Sequence, residues 1–228
     1  ELATDLSISG SSFDENIAAG SAVASLSSID PDSGDSHSYA LVAGDGDTDN
    51  SLFVVDGDQL KIVGSPDFET KSSYSIRLQT TDSGGLTFEK SFTLSVHDIN
   101  EGPSELTISE SGFDENIAGG AVVASLGSAD VDSGDTHTYS LVDGEGDADN
   151  SAFSINGEKL IINKFPDFET QSAYSIRVQT KDSGGLTYEK SFILTVDDLG
   201  QPTSPVPVPA STQEDRDNLV RSIEDITT

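Results

Sequence analysis

The chain has 228 residues, of which 41 are acidic and 11 basic, a formal net charge of −30, and no Cys, Met or Trp. That length accommodates two domains of about 100 residues and a tail, each domain large enough to bury its own core without a disulfide. The lack of Cys excludes thiol chemistry and Cys-ligated zinc but not secretion, and the charge repels nucleic acid and anionic membrane surfaces. No apolar run approaches the roughly 20 residues of a membrane span, so no direct membrane insertion is expected of these residues. The chain opens at Glu1, without a signal-peptide pattern, and is expected to be part of a longer polypeptide. Two explanations of the acidity compete: a solvated surface suited to a salty medium, or carboxylates gathered as ligands for a hard cation.

In chain order, the first feature is a repeat. Phe13-Asp14-Glu15-Asn16-Ile17-Ala18 returns as Phe113-Asp114-Glu115-Asn116-Ile117-Ala118, and Asp30-Pro31-Asp32-Ser33-Gly34-Asp35 as Asp130-Val131-Asp132-Ser133-Gly134-Asp135. Pro66-Asp67-Phe68-Glu69-Thr70 and Asp82-Ser83-Gly84-Gly85-Leu86-Thr87 recur at the same offset of 100. About 60% of the aligned positions are identical, which predicts two modules of one fold over residues 1–100 and 101–200.

Within each copy the period is that of strands. His37 and His137, beside Tyr39 and Tyr139, read as strand-face histidines; His97 has Asp197 as its equivalent. Asp45-Gly46-Asp47-Thr48-Asp49-Asn50 resembles the start of an EF-hand loop, but Asp56 stands at the twelfth position where that loop needs Glu. The other reading is a polar turn before a strand at Phe53. Asp56-Gly57 and Asn156-Gly157 predict hairpins, and Gly84-Gly85 a further turn. Tyr74, Ile76 and Leu78, then Phe92, Leu94 and Val96, alternate with polar residues, as half-buried strands require. Many short strands with frequent turns predict an all-β chain of two β-sandwiches. Residues 201–228 form the tail. Pro202, Pro205, Pro207 and Pro209 predict a stiff linker, and Leu219, Val220, Ile223 and Ile226 follow at helical spacing.

The ordered acidic motifs resemble the cadherin repeat, in the manner of bacterial-type tandem cadherin domains. The resemblance rests on Glu15-Asn16, Asp30-Pro31-Asp32, Asp67-Phe68-Glu69, Asp82 and Asp98-Ile99-Asn100-Glu101-Gly102-Pro103, with their counterparts in the second copy, and covers residues 1–200. It implies Ig-like Greek-key sandwiches with Ca2+ between them. Carried over, the lower half of the joint is Glu15, Asp67, Glu69, Asn100 and Glu101, with main-chain oxygens near Ile99 and Gly102 and with Asp98 as a ligand or a linker brace. The upper half is Asp130, Asp132 and Asp182. Calcium takes six to eight oxygens in a tolerant geometry, whereas magnesium prefers a small octahedral shell and keeps its waters. Seven uncompensated carboxylates at close range repel, so metal is expected to turn a loose joint stiff.

Glu101 stands where the family usually has Asp, and the second copy closes with Asp198-Leu199-Gly200-Gln201, without Asn or Glu. Asp30, Asp32 and Asp82 above, and Glu115, Asp167, Glu169 and Asp198 below, are therefore expected to be half sites. The resemblance implies a calcium-binding module pair of a bacterial-type surface or secreted protein. Its expected role is calcium-dependent adhesion, to like modules or to a surface polysaccharide. A passive calcium-stiffened spacer and a carbohydrate-binding module of an exoenzyme are the alternatives. The aromatics recur at core positions, which disfavours a sugar platform. No residue set makes a catalytic triad, and no enzyme activity is expected.

Overall fold

The computed structural model describes residues 1–32 and 34–200. The predicted Pro-rich linker and short helix of 201–228 lie outside them. Among the described residues each copy carries eight strands. In the first these are β1 (Asp5–Ile8), β2 (Ser12–Asp14), β3 (Ala22–Ile29), β4 (Ser38–Leu41), β5 (Phe53–Asp56), β6 (Gln59–Ile62), β7 (Ser73–Thr81) and β8 (Thr87–His97). In the second they are β9 (Glu105–Ile108), β10 (Gly112–Asp114), β11 (Val122–Ala129), β12 (Thr138–Leu141), β13 (Phe153–Asn156), β14 (Lys159–Ile162), β15 (Ala173–Lys181) and β16 (Thr187–Asp197).

Each copy arranges them as two four-stranded sheets: β1-β3-β6-β5 with β2-β8-β7-β4, and β13-β14-β11-β9 with β10-β16-β15-β12. Alternation does the work it promised. Tyr74, Ile76, Leu78 and Thr80 of β7 are buried, while Ser73 stays exposed and Ser75, Arg77 and Gln79 only half-buried. Phe13, Phe53 and Tyr74 meet in the core, with Phe13 and Tyr74 stacked at 6.0 Å and Phe53 edge-on to Tyr74 at 5.4 Å. Phe113, Phe153 and Tyr174 repeat the arrangement. Tyr39, Phe88 and Phe92 pack against the first core from its margin.

Register places the loops. β2 runs parallel to β8 with Asp14 opposite His97, and β7 begins with Ser73 opposite Ser95. The residues after Asp14, before Ser73 and after His97 therefore meet at one pole. At the other, Asp5 faces Ile29, and Ser38, Thr81 and Thr87 pair in succession. This gathers the loops 30–37 and 82–86. By the same register the second copy gathers 130–137 and 182–186.

The chain divides into two compact units. The first joins Glu1–Glu105 with Ala129–His137 and Lys181–Tyr188. The second takes Leu106–Ser128, Thr138–Thr180 and, of the described residues that follow, 189–200. The upper loops of the second copy thus belong to the first unit.

Two local readings are decided by the fold. The Asp45–Asn50 segment is a structural turn: Gly44 N–H donates to Asp47 Oδ2, Asp49 accepts from Ser75 N–H at 2.8 Å and pairs with Lys71, and Asn50 accepts from Arg77 N–H. A 3-10 turn at Asn50–Leu52 then leads into β5. His37 and His137 are not strand-face residues. Each stands one position before β4 or β12, half-buried, with Nε2 on Asp30 or Asp130 at 3.2 and 2.9 Å.

Candidate metal centre

The charge of −30 is unevenly spread. Of the 36 acidic and nine basic side chains among the described residues, the strands hold only eight acidic but seven basic ones, so the acidic excess of those residues lies in the loops. A solvated acidic surface gives no reason for that partition. Loops gathered at poles as ligand sets do.

At the lower pole of the first copy, Glu15 is only 3% exposed. Its Oε1 accepts from Ile99 N–H and its Oε2 from Phe68 N–H, both at 2.7 Å. One buried carboxylate therefore ties the linker and the Asp67-Phe68-Glu69 loop to the end of β2. Asn16 follows in the left-handed region at φ 58°, a conformation that asparagine tolerates better than most side chains. Its Nδ2 donates to Glu101 Oε1. The early Glu-Asn pair thus orients two linker residues before any ion is considered.

Carboxylate oxygens of Glu15, Glu69 and Asp98 lie within 4.8 Å of one another, and so do those of Glu69, Glu101 and Asp132. Glu69 is common to both groups. Glu101 N–H donates to Asp132 Oδ2 at 2.7 Å, and Asn100 Nδ2 donates to Asp182 Oδ2 at 3.1 Å. All of these residues belong to the first compact unit. A cleft of about 580 Å³ opens beside them, lined by Glu69, Asp98, Asn100, Asp132 and Asp135 among others. The ion pairs Lys61–Asp56, Lys71–Asp49, Arg77–Glu89, Lys90–Asp5 and Arg177–Glu189 all fall on other carboxylates.

The electrostatics record the crowding. Asp98 is held above the usual aspartate range by desolvation first, then by the charges of Asp132 and Glu15. For Glu69 the largest influence is a main-chain hydrogen bond that lowers its pKa; desolvation and the charges of Glu15, Glu101 and Asp98 outweigh it and raise the value. Desolvation likewise acts to raise Asp182, but Asn100 and the Leu186 and Gly185 N–H groups hold it below the ordinary value.

Among the described residues, three buried carboxylate oxygens have no hydrogen-bond partner: Glu101 Oε2, Asp132 Oδ1 and Asp135 Oδ2. Orphaned buried charge is costly, and a cation removes the cost. The donor set is oxygen only, carries several charges and comes from loops. It fits a hard divalent ion of calcium's size better than zinc or copper, which take imidazole or thiolate.

Not every predicted ligand stands equally. Asp67 is outside both trios of its copy and accepts from Thr70 N–H and Oγ1, each at 2.9 Å. Ile99 is present through its N–H bond to Glu15, and Gly102 lies against Leu186, where an added Cβ would come within 3.2 Å. At the upper pole of the first copy Asp30 and Asp82 group with Asp35, while Asp32 contacts the Glu1 amino group. At the lower pole of the second, Glu115, Asp167 and Glu169 form one trio, and Asp198 accepts from Gly200 N–H at 2.6 Å. Sequence reasoning passed over Asp135, His137 and Ser183. Their signal was available: each recurs at an offset of 100, as Asp35, His37 and Ser83.

No protein-family model matches the chain. Mouse protocadherin Fat 4 is 31% identical over 169 residues, 70% of this chain and 3% of that protein. Chimpanzee protocadherin gamma-A11 is 29% identical over 199 residues, 82% of this chain and 21% of that protein. The chain thus spans a small fraction of the curated relatives it matches. Among solved structures, human protocadherin-24 EC1-2 superposes with a TM-score of 0.65 at 17% identity, covering 87% of this chain and all of that one. The extracellular cadherin domains 3-6 of protocadherin gamma B2 give 0.58 at 21% identity, covering 86% of this chain and 47% of that one. With cadherins matched in sequence over most of its length and cadherin domains matched in fold, the chain belongs to the cadherin-like repeat family.

Proposed function

We propose that this pair of repeats is an extracellular calcium-binding adhesion module of a surface or secreted protein, and that calcium stiffens the joint between its two copies. The single observation that carries the reading is the Glu69–Glu101–Asp132 trio, in which the linker carboxylate and the upper-loop carboxylate each keep a buried oxygen without a partner. Glu69, Glu101, Asp98 and Asp132 would hold the ions, with Glu15 both as ligand and as the brace that sets the linker. Asn100 would serve with Asp182, and main-chain oxygens near Ile99 and Gly102 would complete the shells. When bound, calcium supplies positive charge at the point where like charges otherwise push the loops apart.

The module boundaries proposed are 1–100 and 101–200. The partner proposed is a like module. One relative, protocadherin gammaB7 EC3-6, has been solved as a cis-dimer. Nothing in the site calls for catalysis, and the curated relatives matched are cadherins. A spacer role differs in one measurable respect, since a spacer stiffens without associating.

Sedimentation velocity with calcium and with chelator is the test. Calcium-dependent, reversible association supports adhesion; a monomer that only becomes more extended supports the spacer. Identical sedimentation in both conditions overturns the metal reading. Asp132→Ala should abolish the calcium effect while both copies stay folded by circular dichroism.

A further inference from the structure

We propose that Asn156 is a self-modification site, at which the Gly157 amide nitrogen displaces the side-chain nitrogen and water then leaves an aspartate opposite Lys159. Among the described residues Asn156 is the one asparagine followed by glycine. Asn16 and Asn116 precede Ile, Asn50 and Asn150 precede Ser, Asn100 precedes Glu and Asn163 precedes Lys.

The hairpin leaves both reacting groups free. Asn156 ends β13 and pairs with Lys159 of β14, so Gly157 and Glu158 form a two-residue turn. The Glu158 carbonyl accepts from Leu126 N–H at 2.8 Å, which ties the turn to β11. Asn156 is exposed, and among the described residues its side-chain amide has no hydrogen-bond partner and Gly157 N–H has no acceptor. The amides of other asparagines are engaged: Asn50 and Asn150 with the Val42 and Val142 carbonyls, Asn100 with Asp182, and Asn163 with Ser154. Gly157 takes φ 60°, and no atom lies within 4 Å of where its Cβ would stand, so nothing crowds the approach of its nitrogen.

The step balances without a cofactor. Gly157 N bonds to Asn156 Cγ, the Cγ–Nδ2 bond breaks, and the Gly157 amide proton leaves with Nδ2 as ammonia. Water then adds to Cγ of the cyclic imide, the N–Cγ bond breaks, and the nitrogen takes back a proton. One water is consumed and one amide becomes one carboxylate.

The first copy carries the product already. Asp56 occupies the same place, opposite Gln59 and ahead of Gly57 at φ 62°, and Lys61 pairs with it at 2.6 Å. The second copy has Ile161 at that position and places its cation at Lys159, directly across the ladder from Asn156. Directly opposed side chains have Cβ atoms about 5 Å apart, where unlike charges attract. Opening the imide at its other carbonyl gives isoaspartate, which routes the main chain through Cβ and lengthens β13 where it pairs with Lys159. Register therefore favours aspartate.

The experiment ages the full 228-residue chain at mildly alkaline pH, folded and in urea. Peptide mass mapping follows every asparagine, and isoaspartyl methyltransferase reports the isoaspartyl product. In the folded chain Asn156 should convert about tenfold or more faster than any other asparagine of the described residues, because glycine alone leaves the approach open. Aspartate should be the main product there, and isoaspartate in urea. Asn156→Asp should melt above wild type, and adding Lys159→Gln should remove the gain. Conversion confined to the unfolded chain, or equal conversion at Asn100 or Asn163, overturns the site. Isoaspartate as the main product of the folded chain overturns the role of register. An Asn156→Asp chain that melts below wild type overturns the pairing with Lys159.

Discussion

The lower poles of the two copies begin from the same three residues and finish differently. Glu15, Asp67 and Glu69 are matched by Glu115, Asp167 and Glu169, and both buried glutamates accept the same pair of main-chain N–H groups, from Phe68 and Ile99 or from Phe168 and Leu199. Beyond that point the first copy continues into Asn100 and Glu101, which reach Asp182 and Asp132. The second continues into Gly200 and Gln201, without either side chain. The difference separates two jobs that one motif performs. Glutamate in the Glu-Asn pair closes the pole of each sandwich through main-chain N–H groups. Only the first copy's linker adds contacts to Asp182 and Asp132.

The largest expected effect tests that separation. Glu15→Ala and Glu115→Ala each strand two main-chain N–H groups, at about 1–3 kcal/mol apiece. Urea denaturation in chelator should show similar losses for both variants, and calcium should widen the gap only for Glu15→Ala. A calcium-independent pair of losses would reduce Glu15 to a brace alone.

A smaller effect is expected at Gly184. A Cβ there would sit 1.9 Å from Asn100 Oδ1, whereas at Gly84 the nearest atom is Asp82 Oδ1 at 3.2 Å. Gly184→Ala should swing Asn100 off Asp182 and cost about 1 kcal/mol, the worth of one hydrogen bond. It should also weaken calcium binding at the joint. Gly84→Ala should leave calcium titrations unchanged. Equal behaviour of the two variants would show that the Asn100 contact is incidental.

The smallest effect lies on the sheet face, away from either pole. Glu89 is held below the ordinary glutamate range by its hydrogen bonds from Arg77 and then Gln79. Because the folded value is the lower one, its contribution is fully present above the unfolded value and lost as pH falls through the folded one. Glu89→Gln should therefore be slightly less stable than wild type at neutral pH, converge with it in acid, and show no calcium dependence. Thermal melts at several pH values would check this. A calcium-dependent difference would mean that the sheet face and the poles are coupled.

Much of the architecture was legible beforehand because it rests on local periodicity. Tyr74, Ile76 and Leu78 had to face one side of a strand, and Phe13, Phe53 and Tyr74, being apolar in both copies, had to meet in a core. The carboxylates at the joint were legible because their order and spacing resemble a known family. Asp98 and Glu69 stand together in one group of carboxylates, whereas Asp67 turns to Thr70. The histidines misled, since alternation alone cannot tell the last residue of a loop from the first of a strand.

The sequence by itself determined the repeat, the all-β character and which loops carry the charge, since these follow from recurrence and from a period of two along each strand. Only the tertiary structure decided which carboxylates share a neighbourhood. Asp135 is five residues from Asp130 but 47 from Asp182, and strand register alone brings the loop at 130–137 against the one at 182–186. The orphaned oxygens are of the same kind. Whether a carboxylate finds a donor depends on what the other loops leave within reach, and nothing in its own segment records that.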